Sequence, residues 1–110
     1  MNITYYQQIV ETEPVNGNKY IRDMVLTKEV KNRHYAPRKG DRLNFESGNG
    51  WFDDVEVSDT FFFVDNDGIT VYLEDLKLHP TRFDELNLKD FTDYGWELEH
   101  SYRNEEDNKR

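Results

Sequence analysis

Turn-forming residues divide this chain into short runs, and that spacing constrains the fold more than any other feature. Asn16-Gly17, Ser47-Gly48-Asn49-Gly50 and Asp65-Asn66-Asp67-Gly68 supply residues that adopt the unusual backbone angles of tight turns. The runs between them are rich in β-branched and aromatic residues, which suit a pleated, half-buried surface. Residues 3–13 read as a strand with Ile3, Tyr5 and Ile9 on one face and Gln7 interrupting it. Residues 19–31 read as a second strand, antiparallel to the first across Asn16-Gly17, with Tyr20, Met24, Leu26 and Val30 alternating against polar neighbours. Short strands are expected at 43–45 and 51–57, and a hairpin at 60–65 and 69–74. In Phe61-Phe62-Phe63-Val64 both faces are apolar, which predicts a central strand or one wedged between layers.

His79-Pro80 breaks the β pattern after Leu76 and Leu78. Thr81 is the expected cap of a helix with Asp84 and Glu85 in its first turn. Phe83, Leu86, Phe91 and Tyr94 share one side of it; Leu88 lies at the margin, a break falls near Asn87, and Gly95 ends it. Trp96 and Leu98 read as a last short edge strand.

The stretch Pro37-Arg38-Lys39-Gly40-Asp41-Arg42-Leu43, followed by Trp51, Val55, Val57 and the hairpin, is SH3-like in rhythm. The expected fold is mainly β (α+β). It is a single, small, strongly bent antiparallel sheet or SH3-like barrel of six to seven strands, with one C-terminal helix. Residues 1–99 are expected to form one β-rich domain and 100–110 a flexible tail with few apolar groups.

Composition narrows the function. The chain of 110 residues has 16 aromatics, enough to build a core despite a modest apolar fraction. It has no cysteine, which excludes disulfides, thiolate catalysis and Cys-ligated zinc. No apolar run approaches a membrane span and no signal-peptide pattern opens the chain, so a cytoplasmic location is expected. The formal charge is −9, unevenly spread: residues 1–45 hold 8 Lys/Arg and 5 Asp/Glu, the rest 6 and 18. This field opposes nucleic acid and anionic membranes in general but allows a local basic patch.

Placing Gly68 as the obligatory glycine of a calcium loop puts Asp65, Asp67 and Glu74 at ligand positions, but Phe63 at the first. A phenyl ring offers no oxygen, so the segment reads as a hairpin turn. His34, His79 and His100 lack metal-ligand spacing, and Ser47, Ser58 and Ser101 lack a nucleophile-elbow context. Gly48-Asn49-Gly50 has no following helix to hold a phosphate. Asp53, Asp54, Glu56 and Asp59 form a carboxylate cluster that could hold Mg²⁺ or act as acid and base, and otherwise reads as a solvated strand face. No catalytic constellation emerges, so neither an enzyme nor a cofactor is expected.

Two surfaces remain. Lys28, Lys31, Arg33, Arg38, Lys39 and Arg42, with His34 and Tyr35 among them, could grip phosphates and unpaired bases, or pair with the acidic half of the chain. The aromatics exceed what a core of this size hides, so some of Tyr5, Tyr6, Trp51, Phe52 and Trp96 are expected at a surface. The favoured reading is an acidic protein-binding module using Trp51, Phe52, Asp53, Asp54 and Glu56. Its partner is another protein or a second copy. The alternatives are nucleic-acid binding through residues 28–42 and a DNA mimic formed by the acidic half. On this reading, Trp51→Ala weakens an interface without unfolding the domain; its melting temperature and its partner affinity check the two halves of that expectation.

Overall fold

Among the described residues, seven strands and two short α-helices form in the order β1 (Asn2–Glu11), β2 (Asp23–Val30), β3 (Arg42–Leu43), β4 (Val55–Phe63), β5 (Gly68–Leu73), β6 (Leu76–Leu78), α1 (Pro80–Asp84), α2 (Lys89–Thr92) and β7 (Glu97–Tyr102). The computed structural model describes residues 2–12, 22–31 and 34–102. The Asn16-Gly17 turn therefore lies outside the described residues.

β1 is the strand on which the sheet is built. Its Ile3, Tyr5, Gln7, Ile9 and Glu11 are buried, while the side chains between them are half-buried. That period of two marks a strand with one face in the core. β2 runs antiparallel along one side of β1, with Ile3 opposite Val30 and Ile9 opposite Met24. The other side is shared: β5 runs parallel to Asn2–Tyr6 and β6 parallel to Ile9–Glu11. Gln7 faces the interruption between them, and its Nε2 donates to the Glu74 carbonyl at 2.8 Å. The residue that breaks the apolar pattern of β1 thus satisfies a backbone oxygen where no strand can.

Glu11, the other buried polar group at this end, accepts from Arg22 Nε at 3.1 Å and Nη2 at 2.5 Å. Arg22 also pairs with Asp84 at 2.7 Å and lies over the Phe83 ring, tying α1 to the end of β1.

The strand order is β3-β4-β5-β1-β2-β7, with β6 continuing beside β1. The two ends of this order do not pair among the described residues. The sheet is therefore open and mixed, not the antiparallel sheet or SH3-like barrel expected. Alternation along a strand reveals its faces but not the direction of its neighbours. β-bulges at Val25–Leu26 and Val57–Asp59 shift the register and add local twist.

One face of the sheet is covered by the 44–54 loop, the helices and Trp96. Their rings form one train: Tyr5 to Phe45 at 4.9 Å, Phe45 to Trp96 at 5.2 Å, Trp96 to Phe52 at 4.9 Å, and Phe52 to Phe91 at 4.9 Å between centroids.

The single C-terminal helix is corrected to two short ones, separated at Glu85–Leu88, and a strand follows them. Phe83 on α1 and Phe91 on α2 are both buried, so the break lets each turn insert its own aromatic. The cap of α1 is His79, not Thr81: His79 Nδ1 accepts from the Thr81 amide at 3.2 Å, with Pro80 in the first turn. α2 ends at Thr92, and Gly95, at φ 91°, closes the turn that follows it. β7 reaches Tyr102, three residues beyond the expected domain end.

Because Phe52 lies at the junction of two ring contacts and is fully buried, Phe52→Ala should cost about 3–5 kcal/mol in urea unfolding. A loss under about 1 kcal/mol, the level of an ordinary surface change, would place Phe52 outside the core.

Candidate functional site

The loop that carries the expected binding residues turns inward. Gly48–Gly50 form a short 3-10 turn in which Asn49 and Gly50 take positive φ, and Ser47 Oγ accepts from the Phe52 amide at 3.1 Å. A Cβ at Gly48 would strike the Asp90 carboxylate. That carboxylate accepts from Asn49 Nδ2 at 3.0 Å and from Trp51 Nε1 at 3.1 Å. The Trp51 ring is covered by the Arg82 guanidinium at 4.6 Å. Trp51 and Phe52 are both buried, so the expectation that they are surface aromatics is corrected. Tyr5 and Trp96 are buried as well, whereas Tyr6 is half-buried on the opposite face of β1.

The acidic cluster is drawn towards the basic segment. Arg42 Nε and Nη2 donate to the two oxygens of Asp54 at 2.7 and 2.6 Å, and Arg42 Nη1 lies 3.6 Å from Glu56. Hydrogen bonding to Arg42 holds the Asp54 carboxyl below the usual carboxylate range, and the same bonds raise the Arg42 pKa. Asp53 is exposed on the neighbouring turn, and Asp59 is exposed on β4.

Lys28 is engaged by the turn that follows α2. Its Nζ donates to the Tyr94 carbonyl at 2.7 Å and lies over the Trp96 ring. Arg33 is outside the described residues. Lys31, Tyr35, Arg38 and Lys39 remain exposed on the connection. The structure therefore divides the basic segment between internal pairs and a smaller exposed set.

Asp65-Asn66-Asp67-Gly68 forms the expected hairpin connection. Asp67 takes a left-handed backbone, and the Asn66 side chain accepts from the Gly68 amide at 3.1 Å. Among the described residues, no group of three or more metal-ligating side chains gathers. No described helix is long and apolar enough to cross a membrane.

The surface that emerges instead is the face of the sheet that no described element covers, the uncovered face. Phe61 on β4, Tyr72 on β5 and Tyr6 on β1 form a row, with ring centroids 5.6 and 5.2 Å apart. Register continues the row through Thr27 on β2 to Glu97 on β7. Exposed Glu29, Glu97 and Glu99 line a shallow cleft of about 450 Å³ beside Tyr6. A second depression of about 380 Å³ runs from Tyr6 to Asp59 and Asp75. The rings thus have carboxylates on both sides. The consecutive aromatics Tyr5-Tyr6 are the sequence signal for this face, because neighbouring side chains of a strand point to opposite sides.

Comparisons with protein-family models, curated proteins and solved structures find no match for the chain. The functional reading rests on this geometry.

The depressed Asp54 carboxyl has a pH consequence. Its contribution to stability is complete above the unfolded-state value, about 3.9, and is lost as pH falls through the lower folded-state value. Asp54→Asn should therefore flatten the acid limb of a plot of urea midpoint against pH, leaving the neutral limb parallel to that of the parent. Identical acid limbs would show that the Arg42 pair contributes nothing in solution.

Proposed function

We propose that the protein is a binding module that recognises a basic surface of another protein through the uncovered face of its sheet. The observation that carries this reading is the row Phe61–Tyr72–Tyr6, flanked by Glu29, Glu97 and Glu99 on one side and Asp59 on the other. Stacked tyrosines provide contact area at low entropic cost and accept Lys or Arg over their faces. Carboxylates around them attract cations and raise the rate of encounter. The uneven charge of the chain adds a long-range field of the same sign.

Asp53, Asp54 and Glu56 line neither cleft of this face, and Arg42 neutralises part of the field of Asp54 and Glu56. Trp51 and Phe52 support the fold beneath it. A nucleic-acid-handling protein is one kind of basic partner that would suit the carboxylates. Direct nucleic-acid binding retains Lys31, Tyr35, Arg38 and Lys39, with Arg42 already engaged by Asp54.

The test compares the parent with a Tyr72→Ser/Glu97→Lys variant in nuclease-treated affinity capture, with captured proteins identified by mass spectrometry. Near-stoichiometric basic proteins held by the parent and lost by the variant are the expected result. Capture that ignores both substitutions, or that vanishes with nuclease, overturns the proposal.

A further inference from the structure

The outer edge of β4 has an unusual composition for a strand border. β3 pairs only with Val55 and Glu56, and the 40–41 turn bonds only to Val57. Thr60 Oγ1 then donates to the Pro37 carbonyl at 2.7 Å. Beyond that point, no described strand pairs with the outer side of Phe61–Phe63. Phe61, Phe62, Phe63 and Val64 are 48, 64, 50 and 91 % exposed. Exposed sheet edges in native proteins usually carry charge, proline or a bulge that blocks an added strand. Residues 60–64 contain neither charge nor proline, and the bulge of β4 precedes them. The apolarity on both faces, read as a central strand or one wedged between layers, instead marks a stretch with no described strand on its outer side.

Charge selects what can occupy this edge. The apolar stretch is bracketed by Asp59 at one end and by Asp65 and Asp67 at the other. β4 ends at Phe63, and Asp65 and Asp67 lie in the turn that follows it. A second copy joined antiparallel across a two-fold axis at Phe62 or Phe63 brings Asp59 to the partner's 65–67 turn, so like charges gather there, and symmetry repeats each approach. An axis at Phe61 pairs Asp59 with the partner's Phe63 and leaves the aspartates at both ends without cations.

A heterologous strand with cations at its ends meets these aspartates with opposite charge. We propose that the β4 edge accepts an extended segment of a partner protein as an added strand, apolar or uncharged in its middle and bearing Lys or Arg at both ends. Backbone hydrogen bonds would hold it, Phe61 and Phe63 would pack on one of its faces and Phe62 on the other, and the flanking aspartates would receive its cations. One cation would face Asp59 on β4, and the other would face Asp65 in the turn after Phe63. This inference rests on the protein-binding reading and specifies its geometry.

Labelled peptides of sequence Lys-Thr-Val-Thr-Val-Thr-Lys, and the same with Glu at both ends, test it by fluorescence anisotropy at low salt. The Lys peptide should bind at least tenfold more tightly than the Glu peptide. Asp59→Lys/Asp65→Lys, which changes only exposed side chains, should reverse that order, and Phe62→Ser should weaken both complexes several-fold. Equal affinities, no binding, or indifference to all three substitutions overturns the proposal. Sedimentation of the peptide-free protein forms a further arm: a dimer abolished by Phe62→Ser would show that a second copy takes the edge and would also overturn it. If no peptide binds while capture still depends on Tyr72 and Glu97, the edge proposal fails and the reading of the face stands.

Discussion

The contact on which the rest of the structure depends is the ring train Tyr5–Phe45–Trp96–Phe52–Phe91. It joins the central strand, the 44–54 loop, α2 and the residue that begins the return to β7. None of these covering elements is long enough to be stable alone: α2 has four residues and α1 five. They hold their shape because each inserts an aromatic into one shared layer. A large ring removes more apolar surface from water per residue than an aliphatic side chain, so a chain of modest apolar content can close a core this way.

Spending the rings on one face leaves the opposite face to the remaining aromatics and the acidic groups. Gln7 and Glu11 show how the covered face tolerates polarity, each bonded where the strand pairing ends or breaks. Among the described residues, no second layer lies on the uncovered face. Its tyrosines stack on one another, and the carboxylates of β2 and β7 stand beside them in water. The proposed recognition surface is therefore a consequence of how the core is built: covering elements this short can close only one side of the sheet.

Much of this was legible in the residues. Alternation in β1, the β4–β5 hairpin, the turn at Gly95 and the break between the helices follow from local spacing and turn chemistry. The parallel pairing of β1 with β5 and β6 was not legible, because direction and partner depend on the path of the intervening chain. Trp51 and Phe52 read as exposed because they follow a glycine-rich turn. Their burial depends on Asp90 and Arg82, 39 and 31 positions further along, which receive and cover the indole. The apolar run at Phe61 read as interior because hydrophobicity cannot distinguish a covered strand from a bare edge.

Backbone hydrogen exchange, resolved residue by residue in the protein alone, is the most direct test of a sheet closed on one side and open at the β4 border. Amides of β1 directed towards β2 between Tyr5 and Ile9 should exchange only on global unfolding, since β2 pairs with every residue of this stretch and the ring layer covers it. Within Phe61–Phe63, amides directed towards β5 should be protected, and those directed outwards should exchange far faster. Uniform strong protection across Phe61–Phe63, or rapid exchange along β1, would contradict this account.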